Sequence, residues 1–339
     1  MISFVVPAFN TSDTIIRCLD SVYDLPIEES EFEVIVIDDC STDNTVEIVR
    51  KYAESHNNLI LLCQLENHCV GAARNKGVAI AKGKYIVFVD SDDESAKGVL
   101  SAVRLAEENN LDMVSMQYAK VGKCGNYENV CLPFEGNNIV SGMDLQTTYQ
   151  CSFSVWSYLF RKTFMERLNY PFAEDVLYED ADFVSVHLYH ANRTSYCSEC
   201  GYVYHYNSGS ITHTLSYEHL CDYALLGTRM LKFYENLEDK KSKYAKGILD
   251  GGNYNIMKAF QKLPRLKSRS AVCSFYDRFD ALYDRKRLLG YCEPAFYWNR
   301  WTRICLMHRG LASALVLIAF PFCKTWNGMK EFLKRILKK

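Results

Sequence analysis

The sequence lacks a segment built to cross a bilayer. The uncharged run Leu311 to Cys323 covers thirteen residues, well short of the ~20 that a spanning helix needs. Its opening residues, Met1-Ile2-Ser3-Phe4-Val5-Val6, read as a strand, which argues against a secretory leader. No basic n-region, apolar h-region or small-residue cleavage site precedes them, and the expectation is a cytoplasmic protein. After that first strand no Gly-x-Gly-x-x-Gly appears; Pro7-Ala8-Phe9-Asn10 stands in its place, which excludes the dinucleotide fingerprint of a dehydrogenase. The 14 cysteines are scattered from Cys18 to Cys323, and a chain this large needs no staples, so reduced thiols are expected. Only Cys197-Ser198-Glu199-Cys200 has metal-like or redox-like spacing. No second Cys or His pair stands at zinc-finger distance from it, and incidental thiols are the reading.

What is present is a globular composition. With 339 residues and 48% hydrophobic content, the chain can bury one large core or two ordinary ones. The formal net charge of −2 hides an asymmetry. From Tyr297 onward nine cations (Arg300, Arg303, Arg309, Lys324, Lys330, Lys334, Arg335, Lys338 and Lys339) face the single acid Glu331, a net +8 that leaves −10 on the rest. A basic tail on an acidic body calls for a polyanionic neighbour. Trp298, Trp301 and Trp326 flank the apolar run, and Phe332, Leu333, Ile336 and Leu337 alternate with lysines at helical spacing. That composition suits a helix lying in a lipid headgroup layer, on the inner face of the cell membrane; the competing reading is a helix docked on its own domain or on a second copy of the chain. Nucleic acid fits the tail but not the acidic clusters, and is not expected as a partner.

The first half alternates strand and helix. Ile2 to Val6, Phe32 to Ile37, Leu59 to Cys63 and Tyr85 to Val89 read as buried strands, with helices from about Ile15, Thr45 and Gly71 between them. Four strands and three helices in about ninety residues imply right-handed β-α-β units and a parallel sheet. Strand two ends in Asp38-Asp39 and strand four in Asp90-Ser91-Asp92-Asp93, so both acidic tips share one sheet edge, where open α/β sheets bind ligands. Carboxylates this close cannot all stay ionised without a cation among them, and oxygen ligands suit Mg²⁺ or Mn²⁺. The alternative is a solvated loop whose acids cap the next helix.

Four blocks carry a resemblance. Val5-Val6-Pro7-Ala8-Phe9-Asn10, Ile37-Asp38-Asp39-Cys40-Ser41-Thr42-Asp43-Asn44-Thr45, Gly71-Ala72-Ala73-Arg74-Asn75-Lys76-Gly77 and Phe88-Val89-Asp90-Ser91-Asp92-Asp93 resemble the successive motifs of family 2 glycosyltransferases, in family order and spacing. The resemblance implies an α/β GT-A fold, Rossmann-like, with a mostly parallel central sheet and flanking helices. It implies inverting transfer of a hexosyl or N-acetylhexosaminyl group from a nucleotide-diphosphate sugar, a UDP-sugar being expected, to a saccharide or lipid-linked saccharide acceptor in surface-polysaccharide assembly. On it, Asp39 contacts the base, while Asp90 and Asp92, with Asp93 adjoining, hold Mn²⁺ or Mg²⁺ and the diphosphate. Pro7, Phe9, Asn10, Asp38, Arg74, Asn75 and Ser91 join them in the nucleotide-sugar site.

A third acidic cluster, Tyr178-Glu179-Asp180-Ala181-Asp182, stands at the start of a helix, where the dipole alone would favour acids. Displacement at an anomeric carbon, however, needs a carboxylate to take the acceptor proton. Position and resemblance assign Asp180 as that base, with Glu179 as its neighbour. Trp156, in the aromatic stretch Val155 to Leu168, is a candidate for stacking on a sugar, core packing being the alternative. Alternating Tyr202, Tyr204 and Tyr206 mark a strand, and Gly209-Ser210-Ile211-Thr212-His213 after it resembles the family's loop over the diphosphate. Ser210 and Thr212 are candidates there, and His213 for the metal. Residues 1–213 are expected to form the transferase domain, 1–95 being its nucleotide half and 96–213 its acceptor half. Residues 214–339 are expected to form a helical region, able to pair with a second copy and ending in the basic tail.

Overall fold

The computed structural model describes residues 1–122, 125–130, 138–149, 151–207, 216–266, 268–291, Leu306 and Arg309. It divides into two compact units, Met1–Ser210 and Ile211–Lys339. The first unit opens β1 (Ile2–Ala8), α1 (Ile15–Tyr23), β2 (Phe32–Asp38), α2 (Thr45–Ala53), β3 (Leu59–Cys63), α3 (Cys69–Ile80) and β4 (Tyr85–Phe88). It continues through β5 (Glu94–Ser95), α4 (Gly98–Asn109), β6 (Met113–Val121), β7 (Tyr127–Val130), α5 (Gly142–Tyr149), β8 (Tyr158–Arg161), α6 (Lys162–Leu168), α7 (Asp180–His190) and β9 (Thr194–His205).

These strands form one sheet in the order β3-β2-β1-β4-β8-β6-β9-β5, with β7 paired to β6. The first four are parallel, as the alternation with helices requires. Beyond them β8 runs antiparallel to both β4 and β6, and β9 returns parallel to β6. Every residue of β1, β2 and β4 is buried, because helices cover both faces of a parallel sheet. Register sets Ala8 beside Asp38 and Val5 beside Phe88, so Asp38-Asp39 and Asp90 emerge at one edge.

Strand β9 begins at Thr194, eight residues before Tyr202, the first of the alternating tyrosines. The Cys197 to Cys200 segment therefore lies inside a strand, where the register with β6 shifts between Met116 and Tyr118. Cys197 is buried, with its thiol 3.6 Å from the Gly98 carbonyl, and Cys200 sits 3.3 Å from the Tyr202 carbonyl. Both are free thiols.

The second unit contains α8 (Tyr217–Glu235), α9 (Lys243–Lys262), α10 (Arg269–Leu282) and α11 (Arg285–Tyr291). Ser216, Ser242 and Ser268 cap the first three, each hydroxyl accepting from a backbone N–H three residues on. Phe260, Phe275, Tyr276 and Phe279 form its aromatic core. Among the described residues no helix is long and apolar enough to cross a membrane. Apart from Leu306 and Arg309, the basic run after Tyr297 lies outside the described residues, as do Ser210, Thr212 and His213.

Candidate active site

The edge shared by β1, β2 and β3 is built by short backbone links. Asp39 N–H donates to the Ala8 carbonyl at 2.8 Å, and Gln64 N–H to the Asp38 carbonyl at 2.8 Å. Asn10 adopts φ 53° there, its N–H donating to Ser41 Oγ at 2.9 Å while its Oδ1 accepts from Thr42 N–H at 2.8 Å. Asn and Asp reach left-handed backbone more readily than other side chains, which is why the sequence can turn at Asn10. Pro7 is buried within β1, whereas Phe9 is 47% exposed beside the edge.

Asp38 Oδ2 accepts from Ser41 N–H at 3.0 Å. Asp39 is 3% exposed, and its Oδ1 accepts from Gln64 Nε2 at 2.6 Å and from His68 N–H at 2.9 Å. Burial pushes its carboxyl above the usual range, partly opposed by the His68 backbone N–H. Gln64 and His68 were not singled out from the sequence; Gln64 is the residue directly after β3, a position on the same edge that the strand boundaries alone could have flagged.

At the β4 tip the three aspartates part company. Asp90 Oδ1 receives Arg74 Nη2 at 2.7 Å. Asp92 Oδ2 receives the Asn207 amide at 3.1 Å, and its carbonyl accepts from Arg17. Burial, then the charge of Asp90, raises the Asp92 carboxyl. Asp93 points elsewhere: Tyr202 Oη donates to its Oδ2 at 2.6 Å and His205 N–H to its Oδ1 at 2.7 Å. It is 1% exposed. Both oxygens thus fasten β9 to the β4 tip, which gives Asp93 a supporting role beside the metal role expected of it. Ser91 is buried, with its carbonyl accepting from Thr14 Oγ1 at 3.0 Å.

The third cluster meets the second through Arg74. Its guanidinium, 4% exposed, pairs with Asp90 and with Glu179, the residue that immediately precedes α7. Against its burial, those two carboxylates raise its pKa, so it stays charged. Glu179 is 3% exposed and Asp180, at the first helical position of α7, is partly exposed. Burial pushes both carboxyls up, with Arg74 opposing and each other's or Asp90's charge adding. Two carboxyls raised above their ordinary range next to a fixed cation mark a candidate site for proton transfer.

Two other expectations shift. Trp156 is 8% exposed, its ring stacked on Tyr202 at 4.3 Å and 9° and edge-on to Tyr118 at 4.9 Å. It packs in the core, with Tyr202 covering one face of its ring. Asn75 commits its amide to the backbone of Phe172 and the carboxylate of Glu174.

Among the described residues no three His, Cys, Asp or Glu side chains converge as a complete ion cage. Asp90 and Asp92 nonetheless suit a hard divalent ion, since magnesium and manganese sites commonly use one or two carboxylates and fill the rest with phosphate and water.

Comparison with known proteins agrees with this geometry. The family model described as Glycosyl transferase family 2 matches residues 3–167. The uncharacterized glycosyltransferase EpsJ of Bacillus subtilis is 30% identical over 227 residues, 62% of this chain and 63% of that protein. The succinoglycan biosynthesis protein ExoO of Rhizobium meliloti is 30% identical over 233 residues, 65% of this chain and 64% of that protein. The chain thus spans less than two thirds of the length of either relative. Residues 1–349 of S. aureus TarS, crystallised with UDP-GlcNAc, superpose with a TM-score of 0.68 at 22% identity, covering 94% of this chain and 91% of that one. The shared fold includes the mostly parallel sheet with flanking helices.

Proposed function

We propose that the chain, whose residues 3–167 match the glycosyl transferase family 2 model, moves a sugar from a UDP-sugar to a hydroxyl of a polysaccharide or lipid-linked acceptor, with inversion. The observation that carries the reading is Arg74, whose one guanidinium joins Asp90 of the β4 tip to Glu179 beside Asp180. It brings a diphosphate-binding tip and a candidate base into one site. The UDP-GlcNAc complex of TarS supports a UDP-sugar donor, and the succinoglycan role in the name of ExoO supports a polysaccharide acceptor.

In this reading Asp39 seats the uracil at the edge of β1, β2 and β3, where a carboxylate can accept an imide N–H. Asp90 and Asp92 would hold Mn²⁺ or Mg²⁺, which when bound supplies positive charge to the departing diphosphate. Asp180 takes the proton of the acceptor hydroxyl as that oxygen attacks the anomeric carbon from the side opposite the leaving UDP. Glu179 and Arg74 keep Asp180 and Asp90 at a fixed separation. Proton abstraction by Asp180 is favoured by its raised affinity for protons, since a base works best with a pKa near the operating pH.

Incubation of the full chain with UDP-GlcNAc or UDP-glucose, Mn²⁺ and an oligosaccharide acceptor tests this. Release of UDP coupled to acceptor elongation is expected, and Asp92→Ala is expected to abolish it. Donor binding without UDP release would instead mark a nucleotide-sugar binding module without catalysis.

A further inference from the structure

One face of α3 holds the whole segment that leads to the base. His68, Gly71 and Arg74-Asn75 recur at three- and four-residue spacing, which places them on one side of a helix. His68 O accepts from Asp175 N–H at 3.0 Å, and its Nδ1 lies 2.9 Å from Asp175 Oδ1. At Gly71 a Cβ would stand 2.1 Å from the Ala173 carbonyl oxygen and 3.1 Å from Glu179 Cγ, so only glycine admits the segment this closely. Arg74 takes Glu179. Between them Asn75 makes a reciprocal pair with Phe172: Nδ2 donates to the Phe172 carbonyl at 3.1 Å and Oδ1 accepts from Phe172 N–H at 3.0 Å. The second amide hydrogen reaches Glu174 Oε1 at 2.8 Å.

Phe172 then connects to α7. Its ring stacks on Phe183 at 3.6 Å and 8°, one turn along the helix that begins with Asp180. The segment between is under local constraint, since Asp175 and Tyr178 hold φ of 58° and 65°. A tyrosine in left-handed backbone persists only where its surroundings enforce it.

Resting on the transfer reading above, we propose that Asn75 is a positioning residue for the base: its reciprocal hydrogen bonds to the Phe172 backbone seat the segment from Phe172 to Glu179 on α3 and so fix Asp180 relative to the donor. Its two amide hydrogens are both committed to that segment, which leaves none to donate to a nucleotide. The position of the base is thereby set by the helix whose N-cap residue His68 gives a backbone N–H to Asp39 and whose Arg74 gives a guanidinium to Asp90. A donor seated between those groups and the base share one frame.

The test uses full-length Asn75→Ala and Gly71→Ala with three measurements: kcat for transfer, calorimetric Kd for UDP with Mn²⁺, and amide hydrogen exchange. A displacement of about 1 Å at a reacting group costs on the order of 100-fold. Both variants are expected to lose about 10- to 100-fold in kcat while the UDP Kd stays within about twofold. The amides of Phe172 and Asp175 are expected to exchange at least about tenfold faster, with β4 amides unchanged. If Asn75→Ala fails to fold, Asn75→Gln keeps the amide on a longer stem and carries the same expectations in direction. A UDP Kd that rises while kcat holds would make Asn75 a donor contact and overturn the proposal, as would unchanged exchange at Phe172. If the wild-type chain transfers no sugar, the transfer reading fails on its own, and the exchange data alone decide whether Asn75 seats the segment.

Discussion

Asp39 and Glu179 are each 3% exposed, but they are kept in place by different kinds of neighbour. Asp39 is met by neutral donors, the Gln64 amide and the His68 backbone N–H, supplied by adjacent elements of the parallel sheet. Glu179 is met by a charge, Arg74, across 105 residues of sequence. Neutral hydrogen bonds contribute about 0.5–1.5 kcal/mol each, whereas an unpaired buried charge costs several times that. The nucleotide edge should therefore tolerate the loss of one partner. The base side should not, because its groups depend on one another and on a single cation.

The widest separation between the two sides is expected in turnover. Asp180→Asn should lower kcat by about 10²- to 10⁴-fold, the range for loss of a general base, while UDP affinity, which belongs to the other side, is unchanged. Burial and the charge of Asp90 hold the Asp180 carboxyl above its ordinary range, with Arg74 opposing. A base must be ionised, so wild-type kcat should fall as pH drops through that raised value. The acid limb of the profile then lies above the usual aspartate range. A flat profile down to pH 4, or a UDP Kd that rises with the substitution, would place Asp180 on the binding side.

Next in size is Arg74→Met, read as stability. It leaves Glu179 and Asp90 facing each other without their cation, and breaking a buried pair in this way costs about 3–5 kcal/mol. The sign with pH follows from Glu179. Burial already raises its pKa and Arg74 opposes that rise, so without Arg74 the carboxyl binds its proton more tightly still. The penalty is then full at high pH and shrinks as pH falls and Glu179 becomes neutral. Urea unfolding at pH 8 and pH 5 measures it, and adding Glu179→Gln should recover part of the loss at pH 8 only. Equal losses at both pH values would mean that Arg74 acts by packing on Phe172, whose ring centre is 5.6 Å from its guanidinium carbon.

The same contrast explains what could be read from residues alone. The four parallel strands and their acidic tips follow from local patterns: apolar runs that end in Asp38-Asp39 and Asp90 to Asp93. Arg74 and Asn75 were visible as a motif, but their partners lie 105 and 97 residues away, beyond any periodicity. Trp156 could have been platform or core on its own stretch, and only the pairing of β6 with β9 brings Tyr202 onto its face. Within one run of three aspartates, the residues looked equivalent. Asp90 is paired by Arg74 of α3, while Asp93 is buried by β9, which the sequence places more than a hundred residues later.

Asp93 offers the finest separation of support from chemistry. Burial, then the charges of Asp90 and Asp92, pushes its carboxyl up to about 8, while an unfolded aspartate titrates near 3.9. Between those values the folded state holds a proton that the unfolded state has released, so this residue makes stability fall as pH rises from about 4 to about 8. Asp93→Asn removes that slope. It keeps an oxygen for His205 N–H, and the Tyr202 hydroxyl can turn to accept from the new amide. The variant should match the wild type near pH 4 and melt progressively higher than it as pH rises towards 8. Its UDP affinity with Mn²⁺ should be unchanged, whereas a metal ligand would lose affinity on the same substitution. A lower Tm at pH 8 together with weaker Mn²⁺-dependent binding would place Asp93 in the metal site, and the β4 tip would then carry three ligands in place of two.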